Sequence, residues 1–104
     1  MARNFGPDEL SGDRTIGFPR KRGCVRDEML ADGGMVLYDT VDNQLITINP
    51  TGALIWEYCD GEHSLAMIVA EMRALFPNVP TVQDDVAAIL RDLHARGFLD
   101  SNER

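Results

Sequence analysis

The chain has 104 residues, 44% of them hydrophobic and 26% charged, with a net charge of −7 and two cysteines. That length supports one domain with a single modest core and excludes a deep catalytic cleft between two layers of regular sheet. The composition is that of a soluble globular protein, and no apolar run approaches the roughly 20 residues of a membrane span.

Charge is unevenly placed along the chain. Residues 1–23 carry Arg3, Arg14, Arg20, Lys21 and Arg22 against Asp8, Glu9 and Asp13, whereas residues 24–104 carry five arginines against fourteen acids. The folded part is therefore acidic, which repels phosphate backbones and favours basic or neutral peptides. Gly6, Pro7, Gly12, Gly17 and Pro19 interrupt any regular element, so residues 1–23 are expected to form a disordered basic tail. The same stretch has no apolar central region and does not read as a signal peptide, which makes cytoplasmic residence the expectation.

Order is expected from Cys24. Val25 to Leu30 reads as a first strand, and Arg26, Asp27 and Glu28 confine it to a sheet edge or to a curve over the helices. Asp32-Gly33-Gly34 is a turn signal. Met35 to Thr40 and Gln44 to Ile48 are β-rich runs joined through Asp42-Asn43, a pair suited to a two-residue type I′ hairpin. That turn sets Val41 opposite Gln44, Asp39 opposite Ile46 and Leu37 opposite Ile48. Met35, Leu37, Ile46 and Ile48 then share the face that covers the helices. Val36, Tyr38, Leu45 and Thr47 share the other, an unusually apolar outer face that is either a contact surface or the seat of the first strand.

Three helices follow. Asn49 as N-cap and Pro50 at the first helical position start one that runs to about Cys59, where Asp60-Gly61 stops it. Leu54, Ile55 and Tyr58 recur at helical spacing, and Trp56, off that stripe, either plugs a gap against another helix or lies partly exposed, core packing being the expectation. Ser64 caps a second helix with Leu65, Ile68, Val69, Met72, Leu75 and Phe76 on one face, ended by Pro77-Asn78. Thr81 caps the third. Its stripe is Val82, Val86, Ile89, Leu90 and Leu93, and Gly97 supplies the left-handed stop before Phe98-Leu99.

Nothing in this pattern reads as a catalyst. Cys24 and Cys59 lie far apart with no second Cys or His at ligand spacing, so neither a metal site nor a disulfide framework is indicated, and idle or buried thiols are expected. His63 and His94 are separated by a helix, Glu57, Glu62 and Glu71 read as solvated helix charges, and Gly33-Gly34 lacks the rest of a phosphate loop. The sequence indicates a chain that is not an enzyme and needs no cofactor.

The expected fold is α+β, winged helix-turn-helix-like, with a three-stranded antiparallel sheet followed by three helices over residues 24–100 and a short C-terminus, residues 101–104, left disordered. Ile48-Asn49 leads into Thr51-Gly52-Ala53-Leu54-Ile55-Trp56, Cys59-Asp60-Gly61 follows, and the chain closes on Leu90, Leu93 and Arg96-Gly97-Phe98-Leu99. On these motifs the segment from about Val25 to Asp100 resembles the PqqD family, the pyrroloquinoline quinone synthesis protein D group of precursor-peptide recognition elements.

The resemblance implies a noncatalytic chaperone that binds the leader segment of a ribosomally made precursor peptide and presents it to a modifying enzyme, commonly of the radical S-adenosylmethionine class. It also implies that the leader adds as a strand beside the last hairpin strand and lies against the third helix. Carried onto this chain, those positions are Leu45, Ile46, Thr47 and Ile48 with Asp85, Ala88, Ile89, Asp92 and Arg96. On a helical wheel Asp85, Ala88, Asp92 and Arg96 share one flank of the core stripe with Ile89 at its border, where Ala88 leaves room and the two acids suit a Lys or Arg of the guest. Two other readings compete, a winged-helix DNA-binding regulator and a bridging domain that grips no leader. The first is disfavoured by Asp84, Asp85 and Asp92 on the third helix. An unpaired edge also leaves open a monomer or a strand-exchanged homodimer.

Overall fold

The computed structural model describes residues 17–100. Its elements run β1 (Arg20–Lys21), β2 (Val25–Met29), β3 (Met35–Asp39), β4 (Gln44–Ile48), α1 (Pro50–Glu57), α2 (Leu65–Leu75), α3 (Val82–Ala95) and β5 (Leu99–Asp100). β2, β3 and β4 form an antiparallel sheet in that order, and the three helices follow, as the sequence led us to expect.

A second, two-stranded sheet was not anticipated. β1 pairs antiparallel with β5, Arg20 opposite Asp100 and Lys21 opposite Leu99. The expectation of a structureless segment through residue 23 is corrected over residues 17–23, while the rest of that expectation, residues 1–16, and the C-terminal one, residues 101–104, lie outside the described residues. Backbone bonds fasten this strap along its length. Gly61 N–H donates to the Pro19 carbonyl, Lys21 N–H to Cys59 and Arg22 N–H to Phe98. The Arg22 guanidinium then donates to the Gly97 carbonyl at 2.7 Å. Gly97 sits at φ 86°, the left-handed conformation that ends α3 and turns Phe98 and Leu99 inward.

The β3–β4 register differs from the expected one. Asp39 lies opposite Gln44, Leu37 opposite Ile46 and Met35 opposite Ile48, two residues away from the pairing a two-residue turn imposes. The cause is Asp39, whose carboxylate is wholly buried and accepts the Val41 and Asp42 amides at 2.9 and 3.2 Å. Those bonds hold residues 40–43 as a four-residue loop, with Asn43 at φ 55°. A shift of two preserves side-chain parity, so the inner and outer faces are those expected.

α1 and α2 start as read. Asn49 Oδ1 accepts the Gly52 amide at 2.8 Å, and Ser64 Oγ accepts the Met67 amide at 3.1 Å. Thr81 does not cap α3 with its side chain. Its hydroxyl donates instead to Asp85 Oδ2 at 3.0 Å.

The core joins Met35 and Leu37 of the sheet to Ile55 and Trp56 of α1, Ile68 and Met72 of α2, and Val86, Leu90 and Leu93 of α3, closed by Phe98. α1 is rotated from its expected orientation. It buries Gly52, Ala53, Ile55 and Trp56, which leaves Leu54 exposed. The rotation follows from Trp56, whose indole N–H donates to Asp27 Oδ2 of β2 at 2.8 Å while Lys21 Nζ lies 5.4 Å from the ring centroid.

Candidate functional site

β4 is an edge strand, and among the described residues no other strand pairs with its outer side. Which of its backbone groups face outward can be derived. Between β2 and β3 the bonds Leu30 N–H to Gly34 O and Thr40 N–H to Cys24 O flank the paired strands, so the even positions of β3 bond to β2. Hydrogen bonding alternates along an antiparallel ladder, so Met35, Leu37 and Asp39 bond to Ile48, Ile46 and Gln44. The amides and carbonyls of Leu45 and Thr47 therefore face the open edge.

Alongside that edge runs a groove of about 320 Å³ lined by Thr47, Ile48, Asn49 and Gly52 on one wall and by Ala88, Ile89, Asp92 and Leu93 of α3 on the other. Gly52 keeps its floor low, for a Cβ there would sit 3.3 Å from both Asn49 Oδ1 and Ile48 Cβ. The end nearest the hairpin is tied shut, since Gln44 Nε2 donates to the Arg96 carbonyl at 2.8 Å.

Of the nine sequence-derived positions, the geometry gathers Thr47, Ile48, Ala88, Ile89 and Asp92 around this groove. Leu45 offers its backbone at the open edge while its side chain points outward, 62% exposed. Ile46 turns its backbone toward β3 and its half-buried side chain toward the helices. Arg96 stands at the closed end, its Nε donating to Asp92 Oδ2 at 3.0 Å. Asp85 lines a separate cavity with Thr51, Ile55 and Val86. The sequence reading missed Asn49, Gly52 and Leu93 as groove residues. Their capping and stripe positions had assigned them structural roles, and the direct passage from β4 into α1 was the signal that the first turn borders the strand.

A polar knot supports the hairpin from behind. Asp39 also accepts the Cys24 thiol at 3.4 Å and faces an Arg22 guanidinium nitrogen at 3.4 Å. Burial pushes the Asp39 carboxyl up, but the Asp42 and Val41 amides, the Cys24 thiol and Arg22 together outweigh it and hold the group below its ordinary value. At the end of α1, Asp60 is likewise lowered, chiefly by its contact with His63 Nδ1 at 3.0 Å.

Burial disfavours the thiolate form of both cysteines. Cys59 is fully buried and its thiol is pushed up to about 12 by burial, and Cys24 is raised by the same cause and by Asp39. Native protein at pH 8 is therefore expected to leave Cys59 unmodified by a thiol reagent over hours, with mass spectrometry of the digested chain locating any adduct. Rapid labelling of Cys59 in folded protein overturns that expectation. Among the described residues, no three His, Cys, Asp or Glu side chains converge to hold a metal.

Comparison with known proteins places this geometry. The family model of coenzyme PQQ synthesis protein D (PqqD) matches residues 34–99, from the turn before β3 to β5. A PqqA binding protein of Pseudomonas aeruginosa (strain UCBPP-PA14) is 32% identical over 56 residues, 54% of this chain and 61% of that protein. One of Pseudomonas fluorescens (strain Pf0-1) is 34% identical over 55 residues, 53% of this chain and 60% of that protein. The chain thus spans about three-fifths of the length of these curated relatives. Among solved structures, TbiB1 in complex with the TbiA(beta) leader peptide superposes with a TM-score of 0.68 at 23% identity, covering 77% of this chain and 93% of that one. Lasso peptide synthetase B1 complexed with the leader peptide gives 0.67 at 25% identity, covering 79% and 96%.

Proposed function

This chain belongs to the coenzyme PQQ synthesis protein D family, and from that premise we propose that it is a noncatalytic peptide chaperone. It captures the leader segment of a ribosomally made precursor peptide and presents it to a modifying enzyme in the cytoplasm, a radical S-adenosylmethionine enzyme being the expected class. The observation that carries the reading is the open edge of β4 beside a groove walled by α3. A strand of five residues with outward backbone groups at Leu45 and Thr47 offers two pairs of main-chain bonds, and the groove wall of α3 takes alternate side chains. Relatives and structural neighbours described as binding PqqA or leader peptides support it.

Within the site, Leu45 and Thr47 supply backbone pairing, Ile48, Ala88 and Ile89 supply apolar contact, and Asp92 supplies charge. Asp92 is already engaged by Arg96, yet a carboxylate has lone pairs for a second cation. Arg96 thus acts as a lid on that charge, and a guest Lys or Arg competes with it. The acidic face of α3, with Asp84 and Asp85 in its first turn, argues against duplex DNA as the ligand.

Titration calorimetry with synthetic leader segments of ribosomally made precursor peptides tests the reading. Saturable binding is expected, with hydrogen-exchange protection centred on Leu45 to Ile48. Binding without protection there rejects strand addition. Asp92→Lys is expected to weaken a basic guest by about tenfold at low salt and less at high salt, because exposed charge pairs are screened. An affinity unchanged at every ionic strength removes Asp92 from the site.

A further inference from the structure

A second cavity opens beside the groove, between the first turn of α1, α3 and the turn that follows α2. It measures about 130 Å³, and its walls include Ile55, Met72, Val82 and Val86, with Thr51 and Asp85 as its polar members. The four apolar residues are at most 5% exposed, whereas Val79 at its mouth is 42% exposed, so the cavity reaches from the core to the surface. An apolar cavity of roughly 150 Å³ is enough to take up benzene, which sets the scale of what fits.

Its position relates it to the groove. Adjacent residues of α1 divide the two, Thr51 lining the cavity and Gly52 the groove. On α3, Asp85, Ala88 and Asp92 form an i, i+3, i+7 stripe that is exposed throughout. The α3 residues of the cavity and of the groove are centred about six positions apart, which is roughly 9 Å along a helix and about three residues of extended chain.

Resting on the reading that a peptide pairs with β4, we infer that the same guest continues past Ile48 and seats a large apolar side chain, of leucine, methionine or phenylalanine size, in this cavity. The guest residue beside it is a Lys or Arg facing Asp85. Asp85 has one oxygen held by the Thr81 hydroxyl, and it lies with Asp84 in the acidic first turn of α3. Among the described residues, no basic side chain lines the cavity. Specificity then comes from two features at fixed spacing: a segment that pairs with Leu45 and Thr47 of β4, and an apolar-basic pair about three residues beyond it. The apolar anchor supplies affinity that strand pairing, being indifferent to sequence, does not discriminate.

Selection of displayed random peptides on the full chain, on Thr51→Phe and on Thr47→Pro tests the inference. Thr51→Phe plugs the cavity from its half-buried rim, and Val79→Trp narrows the same mouth from the opposite wall should the first variant fail to fold. Peptides enriched on the unaltered chain are expected to carry a large apolar residue next to Lys or Arg. They should lose about tenfold or more in affinity on either plugged variant, the equivalent of leaving a leucine-sized side chain in water. Peptides bound by both plugged variants within twofold of the unaltered chain, yet lost on Thr47→Pro, overturn the second subsite and leave strand addition standing. Peptides weakened by the plugs but indifferent to Thr47→Pro overturn strand addition and, with it, the continuous guest proposed here. Enrichment of no peptide at all overturns both.

Discussion

Thr47→Pro is expected to abolish guest-peptide binding, raising Kd by about a hundredfold or more, while the protein stays folded. Proline removes the amide at position 47, which faces the open edge, and its ring stands where a guest carbonyl must approach. The guest then loses one hydrogen bond and keeps a desolvated acceptor without a partner, together about 3 kcal/mol. Ile46→Pro makes the contrasting case. Its amide belongs to the β3–β4 ladder, so that variant is expected to unfold the hairpin and lower the melting temperature. Leu45→Ala keeps the backbone and is expected to change affinity only slightly. Calorimetry together with circular-dichroism melts distinguishes the three. Binding by folded Thr47→Pro within a few-fold of the unaltered chain would falsify the assignment of that edge.

Asp39→Ala is the second large effect, and it acts on stability. The carboxylate joins the hairpin loop, Cys24 and, through Arg22, the carbonyl of Gly97. Removing it leaves two loop amides without their acceptor and Arg22 with the Gly97 carbonyl but no carboxylate, and a melting temperature lower by more than about 10 °C is expected. The pH dependence has a definite sign. In the folded chain this group lies below its ordinary value of 3.8, so its contribution is fully present above that value and is lost as pH falls through the folded one. Asp60 is lowered as well and contributes to the same acid limb, so the difference between the unaltered chain and Asp39→Ala isolates Asp39. That difference should shrink below about pH 4. A difference constant down to pH 2 shows that the carboxylate charge is not what holds the knot together.

These two residues also show how far the sequence could be read. The alternation of Met35, Leu37, Ile46 and Ile48 set the faces of the sheet correctly even though the register was displaced by two, because parity survives an even shift and hydrophobic pattern reports parity alone. What displaced the register was the buried carboxylate of Asp39, which besides its own loop amides meets Cys24 and Arg22, 15 and 17 residues earlier. Likewise Asp27 gave no sign in the sequence that it would receive the indole of Trp56, 29 residues away, and that bond turned α1 so that Leu54 faced outward. In the groove, Ala88, Ile89 and Asp92 were accessible from helical spacing, whereas Asp85 shares their flank on a wheel and still belongs to a different cavity. A wheel gives the direction of a side chain and carries no information about what stands opposite it.

By itself the sequence determined the three-stranded sheet and the three helices, the inward faces of that sheet and of α3, the acidic field and the family resemblance. Each of these is written in neighbours a few residues apart, as with Asn49 holding the Gly52 amide or Gly97 closing α3. The tertiary structure alone decided the strap of Arg20–Lys21 on Leu99–Asp100, the hairpin register, the orientation of α1 and the division of one helix flank between a groove and a cavity. Those features are contacts between segments far apart in the chain. Forming them requires closing long loops against chain entropy, and which of the many possible closures wins is settled by the packing of the whole core at once.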